Sequence, residues 1–179
     1  MTAPQDRRSP SFDSTQFRAV LGHFPTPVTI VTALDTRGPT PAPVGLTIGS
    51  FTSVSLDPPM VGFLPGASSE TLRAIEHFGS FAVNELSADQ AELCWRFASS
   101  GNEDERFAGL DWTAAPDSGS PLIPGALAWI DCEVEAIHEM GDHYFVLGHA
   151  TSLENHPDSD TKRPMLFYRG DLGHFERGN

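Results

Sequence analysis

Apolar positions in this chain fall into short alternating or β-branched runs more often than into helical stripes. Val28-Thr29-Ile30-Val31-Thr32-Ala33 predicts a strand, which Asp35-Thr36-Arg37-Gly38-Pro39 ends in a turn. Another strand is expected to begin near Pro43. From Gly45 to Leu56 the residues have strand chemistry broken by small side chains, and Asp57-Pro58-Pro59 forces a turn before a strand over Met60–Leu64. Further strands are predicted over Phe81–Leu86, Ala128–Ile137, Tyr144–Gly148 and Pro164–Tyr168. In Ala128–Ile137 strict alternation places Asp131, Glu133 and Glu135 on one face and apolar residues on the other.

Helical signals are fewer. Ser14 to Leu21 begins with capping residues and carries Phe17, Val20 and Leu21 on one stripe. Ser69 is a cap candidate for a helix running to about His77, and Ser87 with Gln90 reads as a capping box for a helix through Leu93, Cys94 and Phe97. Residues 99 to 124 are rich in Gly, Pro, Ser and Asp and predict a long excursion with at most short structure near Phe107 and Trp112. Six or more strands, short helices and no regular strand-helix alternation predict a mainly β chain: an antiparallel β-barrel with peripheral helices, not a Rossmann sheet.

Length changes the picture only by setting the scale: 179 residues make one domain, expected over 14–175 behind a disordered lead of residues 1–13. A body of this size buries roughly 70% of its unfolded surface and needs no disulfide or structural metal. Cys94 and Cys132, lacking Cys-x-x-Cys spacing, therefore read as buried thiols in a reducing compartment. The formal charge of -13, with Lys162 the single lysine, disfavours nucleic acid and anionic membranes, and neither is expected as a partner. No signal peptide or membrane-spanning run is visible, and the expected location is cytoplasmic.

Familiar catalytic strings are absent: there is no Gly-x-Gly-x-x-Gly, phosphate loop, Gly-x-Ser-x-Gly or His-Glu-x-x-His. Four constellations remain. Thr47, Ser50, Thr52, Ser53 and Ser55, interspersed with Gly45 and Gly49, suit a flat polar ligand whose ring approaches the backbone; an edge strand rich in hydroxyls is the plainer reading. Ser68-Ser69-Glu70-Thr71 offers helix-start amides to a phosphate, or simply caps the helix. His143, after Gly141-Asp142, is expected at a barrel rim; with His149 on the same face it lacks a third metal ligand, and no metal is expected. Tyr168-Arg169 could stack on a ring and pair with a phosphate, or end a strand in solvent.

Taken in order, Phe17-Arg18-x-Val20-Leu21-Gly22-x-Phe24-x-Thr26, Gly45-Leu46-Thr47-x-x-Ser50-Phe51-Thr52-Ser53-Val54-Ser55-Leu56-Asp57-Pro58-Pro59, Phe81-x-Val83-Asn84-x-Leu86, Gly141-Asp142-His143 and Leu166-Phe167-Tyr168-Arg169-Gly170 resemble the flavin reductase-like family. That family has the FMN-binding split barrel and includes the reductase components of two-component flavin monooxygenases. The resemblance implies an NAD(P)H-dependent flavin reductase that passes a hydride from NADH or NADPH to FMN or FAD and supplies reduced flavin to a separate oxygenase. It further implies a homodimer without metal.

Position by position, the resemblance implies flavin contacts from Thr47, Ile48, Gly49, Ser50, Phe51, Thr52, Val54 and Ser55, and a phosphate contact from Ser69, Glu70 and Thr71. His143, Tyr168 and Arg169 match positions associated with the nicotinamide nucleotide or the outer flavin face. Two residues depart from the family pattern: Pro27 stands where relatives often have Gly, and Ala67 where many have a cation, which leaves Arg73 as the nearby positive charge. Modest flavin affinity is expected from the second departure. A non-catalytic flavin-binding module on the same barrel is the alternative function.

Overall fold

The computed structural model describes residues 11–101, 103–176 and 178. Residues 1–10 of the predicted lead lie outside the described residues. Asp13 caps helix α1 (Ser14–Leu21), its carboxylate accepting from the Gln16 N–H at 2.8 Å.

Short strand β1 (Thr26–Pro27) leads into β2 (Thr29–Asp35), β3 (Ala42–Ile48), β4 (Thr52–Leu56) and β5 (Pro59–Phe63). Helix α2 (Glu70–Phe78), β6 (Ser80–Glu85) and helix α3 (Ala91–Ala98) follow. After the excursion come the two long strands β9 (Ala128–Met140) and β10 (His143–Asn155), then β11 (Met165–Tyr168) and β12 (Asp171–His174). The excursion itself holds a single 3-10 turn and the two-residue strands β7 (Thr113–Ala114) and β8 (Pro121–Leu122).

Seven strands form one antiparallel sheet in the order β3-β2-β6-β9-β10-β5-β4, and β1, β11 and β12 form a second. The larger sheet coils into a barrel. Ile48 from one margin and Val61 and Phe63 from near the other pack in the same buried cluster, with α2 contributing Leu72 and Ile75. A second cluster lies outside the barrel wall, where Val28 and Ile30 meet Leu86, Cys94, Phe97, Ile123 and Met165. β2 is thus buried on both faces, which explains its continuous β-branched run.

The predicted alternation in Ala128–Ile137 breaks at a bulge. Leu147 pairs with Ala136 but Gly148 pairs with Val134, so Glu135 is the extra residue, and Ile137 replaces Ala136 on the core face. Asp131, predicted to share a face with Glu133 and Glu135, is fully buried. The excursion folds over it, and its carboxylate accepts from the N–H groups of Asp117 and Ser118 at 3.0 Å and from the Ser118 hydroxyl at 2.5 Å. Asn84 holds the same excursion from the next strand: its amide donates to the Ile30 carbonyl, and its oxygen accepts from the Ile123 N–H at 2.8 Å.

The capping box is only half realised. The Gln90 side chain accepts from the Ser87 N–H at 3.1 Å, but the Ser87 hydroxyl turns to Asp89, and α3 begins one turn later than expected. No helix among the described residues is long and apolar enough to cross a membrane.

Two positions show how tightly the barrel is filled. A Cβ on Gly148 would fall on the Phe81 ring, which itself packs edge to face on Phe63 at 5.2 Å. Gly148→Ala is expected to cost about 1–3 kcal/mol by overpacking, read as a lower urea midpoint; an unchanged midpoint would mean Phe81 has room to move. Glu85 follows Phe81 and Val83 at alternate positions, and its burial pushes its carboxyl up to about 7 from an ordinary 4.5. Between those values the native protein keeps a proton that the unfolded chain has released, so stability falls as pH rises through this window. Glu85→Gln should flatten that slope and gain about 1–3 kcal/mol at pH 8, measured by denaturation at pH 5 and pH 8; an unaltered slope would show that another group carries it.

Candidate functional site

The predicted single stretch from Gly45 to Leu56 is two strands at opposite margins of the sheet, joined by the corner Gly49-Ser50-Phe51. Side chains along it have separate fates. The Thr47 hydroxyl donates to the Cys94 carbonyl on α3 at 2.7 Å, and Ile48 is buried inside the barrel. Ser50 ties the corner to the end of β5: its oxygen accepts from the Leu64 N–H at 2.9 Å. Phe51 packs on the barrel core. Thr52 and Val54 are exposed and Ser55 is half-buried on β4, an edge strand paired only with β5, with a bulge between Ser53 and Ser55.

This corrects part of the expectation. Ile48 can reach a ligand only through its backbone, since its side chain fills the core. The glycines serve internal approach: a Cβ on Gly45 would come within 3.0 Å of the Phe97 ring, and one on Gly49 within 3.0 Å of the Thr26 hydroxyl. The surface a flat ligand can meet is the corner and the outer edge of β4, whose backbone groups have no strand beyond them.

From β5 the chain enters the strap Pro65 to Ser69. The turn Gly141-Asp142-His143 joins the strap directly: Ala67 N–H donates to the Asp142 carbonyl at 3.0 Å, Tyr144 N–H donates to the Pro65 carbonyl at 3.0 Å, and Gly66 bridges His143. Ser69 caps α2, its hydroxyl accepting from the Leu72 N–H at 3.3 Å. Thr71 is buried, with its hydroxyl on the Gly45 carbonyl, so it packs α2 against β3 and does not face solvent. Glu70 is exposed between Arg37 at 3.3 Å and Arg73 at 3.4 Å. Nothing lies within 4 Å of the space a Gly66 Cβ would take, so the strap's backbone is open there.

His143 Nδ1 lies 2.7 Å from an Asp142 carboxylate oxygen. That hydrogen bond, above all, holds the Asp142 carboxyl below its ordinary value, and the charge of Arg18 adds to it. Arg18 belongs to α1, whose far end meets the last turn of the sheet. Arg169 takes a left-handed conformation (φ 53°), and its N–H donates to the Gly22 carbonyl at 3.0 Å. The Tyr168 ring meets His23 edge-on at 6.3 Å. Between these elements opens a cavity of about 670 Å³ lined by Arg18, Gly22, His23, Phe24, Phe167 and Arg169.

The structure therefore connects the corner, the strap and the Gly-Asp-His turn by direct hydrogen bonds, and reaches the Tyr168-Arg169 turn through α1. Arg18, His23 and Arg37 were not singled out from the sequence. Arg18 stands in the Phe17-Arg18 pair of the family pattern, which was the available signal. Among the described residues no three His, Cys, Asp or Glu side chains are grouped to hold a metal.

The donor set fits a flavin nucleotide: an edge strand with hydroxyls, a strap whose backbone is open at Gly66, and nearby cations with aromatic surface. A family model described as flavin reductase like domain matches residues 21–176. The chain is 46% identical over 165 residues to a protein named flavin reductase from Pseudomonas putida, covering 92% of each. Nitrilotriacetate monooxygenase component B from Mycobacterium thermoresistibile has a similar structure, with a TM-score of 0.83 and 44% identity over 92% of this chain and 87% of that one. The NADH:FAD oxidoreductase SgcE6 of Streptomyces globisporus C-1027, in complex with NAD and FAD fragments, gives a TM-score of 0.81 and 35% identity over 92% of this chain and 93% of that one. A family match over most of the length, on this barrel and these residues, means that the chain belongs to the flavin reductase-like family.

Proposed function

We propose that this protein is an NAD(P)H:flavin oxidoreductase that reduces FMN or FAD and supplies the reduced flavin to a separate monooxygenase component. The observation that carries the reading is the junction at the strap. There the corner that presents flavin-type contacts, the strap before α2 and the Gly-Asp-His turn are held together by hydrogen bonds from Leu64 to Tyr144. The relatives named flavin reductase and monooxygenase component B support the same reaction and the same division of labour.

Bound together, a flavin and a reduced nicotinamide supply the acceptor and donor of a hydride transfer, so the protein needs no nucleophile and little acid-base work. Its task is to hold two rings in register and keep water out. Thr52, Ser55 and the outer backbone edge of β4 would hold the flavin's polar rim. The N–H groups of Gly66 and Ser68 would take its phosphate, since those of Ala67 and Ser69 are bonded to the Asp142 and Gly66 carbonyls. Arg73 is shared with Glu70, and Ala67 adds no charge, so this phosphate contact is modest and suits a flavin that leaves after reduction.

His143 would orient the nicotinamide. Its Nδ1 is turned to the Asp142 carboxylate at 2.7 Å, which orients the ring and leaves Nε2 for the nicotinamide's carboxamide. Arg18 and Arg169 flank the cavity where the nucleotide's phosphates would lie. The protein would act as a cytoplasmic homodimer. The apolar side chains left exposed on α1, Phe17, Val20 and Leu21, and on β4, Val54 and Leu56, supply a surface for a second copy.

Aerobic oxidation of NADH and NADPH by the purified protein, with FMN or FAD added, tests the reaction. Turnover that requires flavin is expected; saturable flavin binding without turnover would instead show a binding module. His143→Ala should raise KM for the nicotinamide nucleotide several-fold more than KM for flavin, measured by steady-state titration of each. An unchanged nicotinamide dependence would remove His143 from the site.

A further inference from the structure

Glu70 is the odd member of the three residues that the family pattern links to the flavin's phosphate. Thr71 is buried with its hydroxyl on the Gly45 carbonyl, and the Ser69 hydroxyl caps α2. An ionised carboxylate accepts hydrogen bonds and donates none, so the Glu70 side chain repels a phosphate instead of binding it. It also stands on the first residue of α2, at the end of the helix dipole that favours negative charge. A phosphate arriving at the strap competes for the same field.

The two oxygens of this carboxylate divide between two cations: Oε2 lies 3.3 Å from Arg37 Nη1 and Oε1 lies 3.4 Å from Arg73 Nε. The arginines are held very differently. Arg37, in the turn between β2 and β3, grips Asp35 with Nε at 2.9 Å and Nη2 at 2.7 Å, and these bonds keep the Asp35 carboxyl down at about 2. Its remaining nitrogen, Nη1, is left for Glu70. Arg73 is more than half exposed and makes no other ion pair among the described residues. Both Glu70 contacts are longer than the roughly 2.7–2.9 Å of a strong charge-assisted bond. They also lie in solvent, where an ion pair is weak and exchanges readily. Glu70 can therefore release Arg73 and keep Arg37.

We propose that Glu70 is an internal competitor of the flavin's phosphate: it holds Arg73 until a phosphate enters the strap, then turns to the Arg37 anchor, and so sets how strongly this protein prefers FMN over riboflavin. The inference rests on the reading above and extends it, because it turns one implied contact into the element that weakens binding. With Ala67 supplying no charge, Arg73 is the cation for which carboxylate and phosphate compete. A flavin that must leave after reduction is helped by such a rival, since the carboxylate is already beside Arg73 when the phosphate lifts away.

The test is equilibrium titration of the purified protein with FMN and with riboflavin, followed by flavin fluorescence, for the wild type and Glu70→Gln. This substitution keeps the shape of an exposed side chain and removes its charge. FMN affinity is expected to rise about fivefold at low ionic strength, with riboflavin unchanged. The gain should vanish in about 1 M salt, where screening acts beyond roughly 3 Å. Arg37→Ala, which removes the alternative partner, should weaken FMN binding when made alone and far less when combined with Glu70→Gln.

An FMN affinity that stays the same or falls in Glu70→Gln, a gain shared equally by riboflavin or untouched by salt, or an Arg37→Ala loss of equal size in both backgrounds overturns the proposal. Wild-type protein that oxidises no reduced nicotinamide in the presence of flavin overturns the reductase reading, while the FMN and riboflavin dissociation constants still decide the role of Glu70.

Discussion

An antiparallel sheet has two edges, and this chain places consecutive strands on them. β3 ends at one margin and β4 begins at the other, so the corner Gly49-Ser50-Phe51 must cross the open side of the coil. The Ser50 hydroxyl makes that crossing a closure by accepting from the Leu64 N–H just beyond β5. Everything at the candidate site hangs from this bond. It sets where the exposed edge of β4 lies, where the strap Pro65 to Ser69 departs, and thus where the Gly-Asp-His turn can pair with it. The outer margin of β4 is left without a neighbouring strand among the described residues and is open for binding.

The polar groups inside the wall have an equally definite role. Asn84 and Asp131 are fully buried on adjacent strands, and both bond the excursion: Asp131 accepts from the Asp117 and Ser118 N–H groups and the Ser118 hydroxyl, and Asn84 accepts from the Ile123 N–H while its amide donates to the Ile30 carbonyl. Buried polar groups are costly when unpaired and specific when satisfied. Here they seat a Gly- and Pro-rich segment that has little apolar surface of its own against the outer face of β6 and β9. The second core cluster, and with it the position of α3, depends on that seating.

Much of the fold was legible from residue patterns because strands and turns are local. The β-branched run at β2, the Asp57-Pro58-Pro59 turn, the cap at Ser69 and the Gly141-Asp142 turn all follow from φ/ψ preferences and hydrogen-bonding side chains close in sequence. The motifs also marked segments that meet at the candidate site. Legibility failed where a distant part of the chain intervened. Ile48 and Thr71 have the chemistry and position of ligand contacts, yet other strands and helices bury them. Gly45 and Gly49 read as clearance for a ring, whereas Phe97 and Thr26 occupy that clearance. The bulge at Glu135 reversed a face assignment that strict alternation had set.

Sequence alone determined that the chain is mainly β, acidic, poor in catalytic strings and marked with flavin-type motifs, because composition, local propensity and spacing are properties of neighbours. Tertiary structure decided which of the marked residues share a surface. Arg18 reaches the neighbourhood of Asp142, Ser50 reaches Leu64, and Arg169 docks on Gly22 only after the sheet has coiled and the chain ends have met. Such encounters are set by closure and by the packing of both wall faces, and no local preference encodes them.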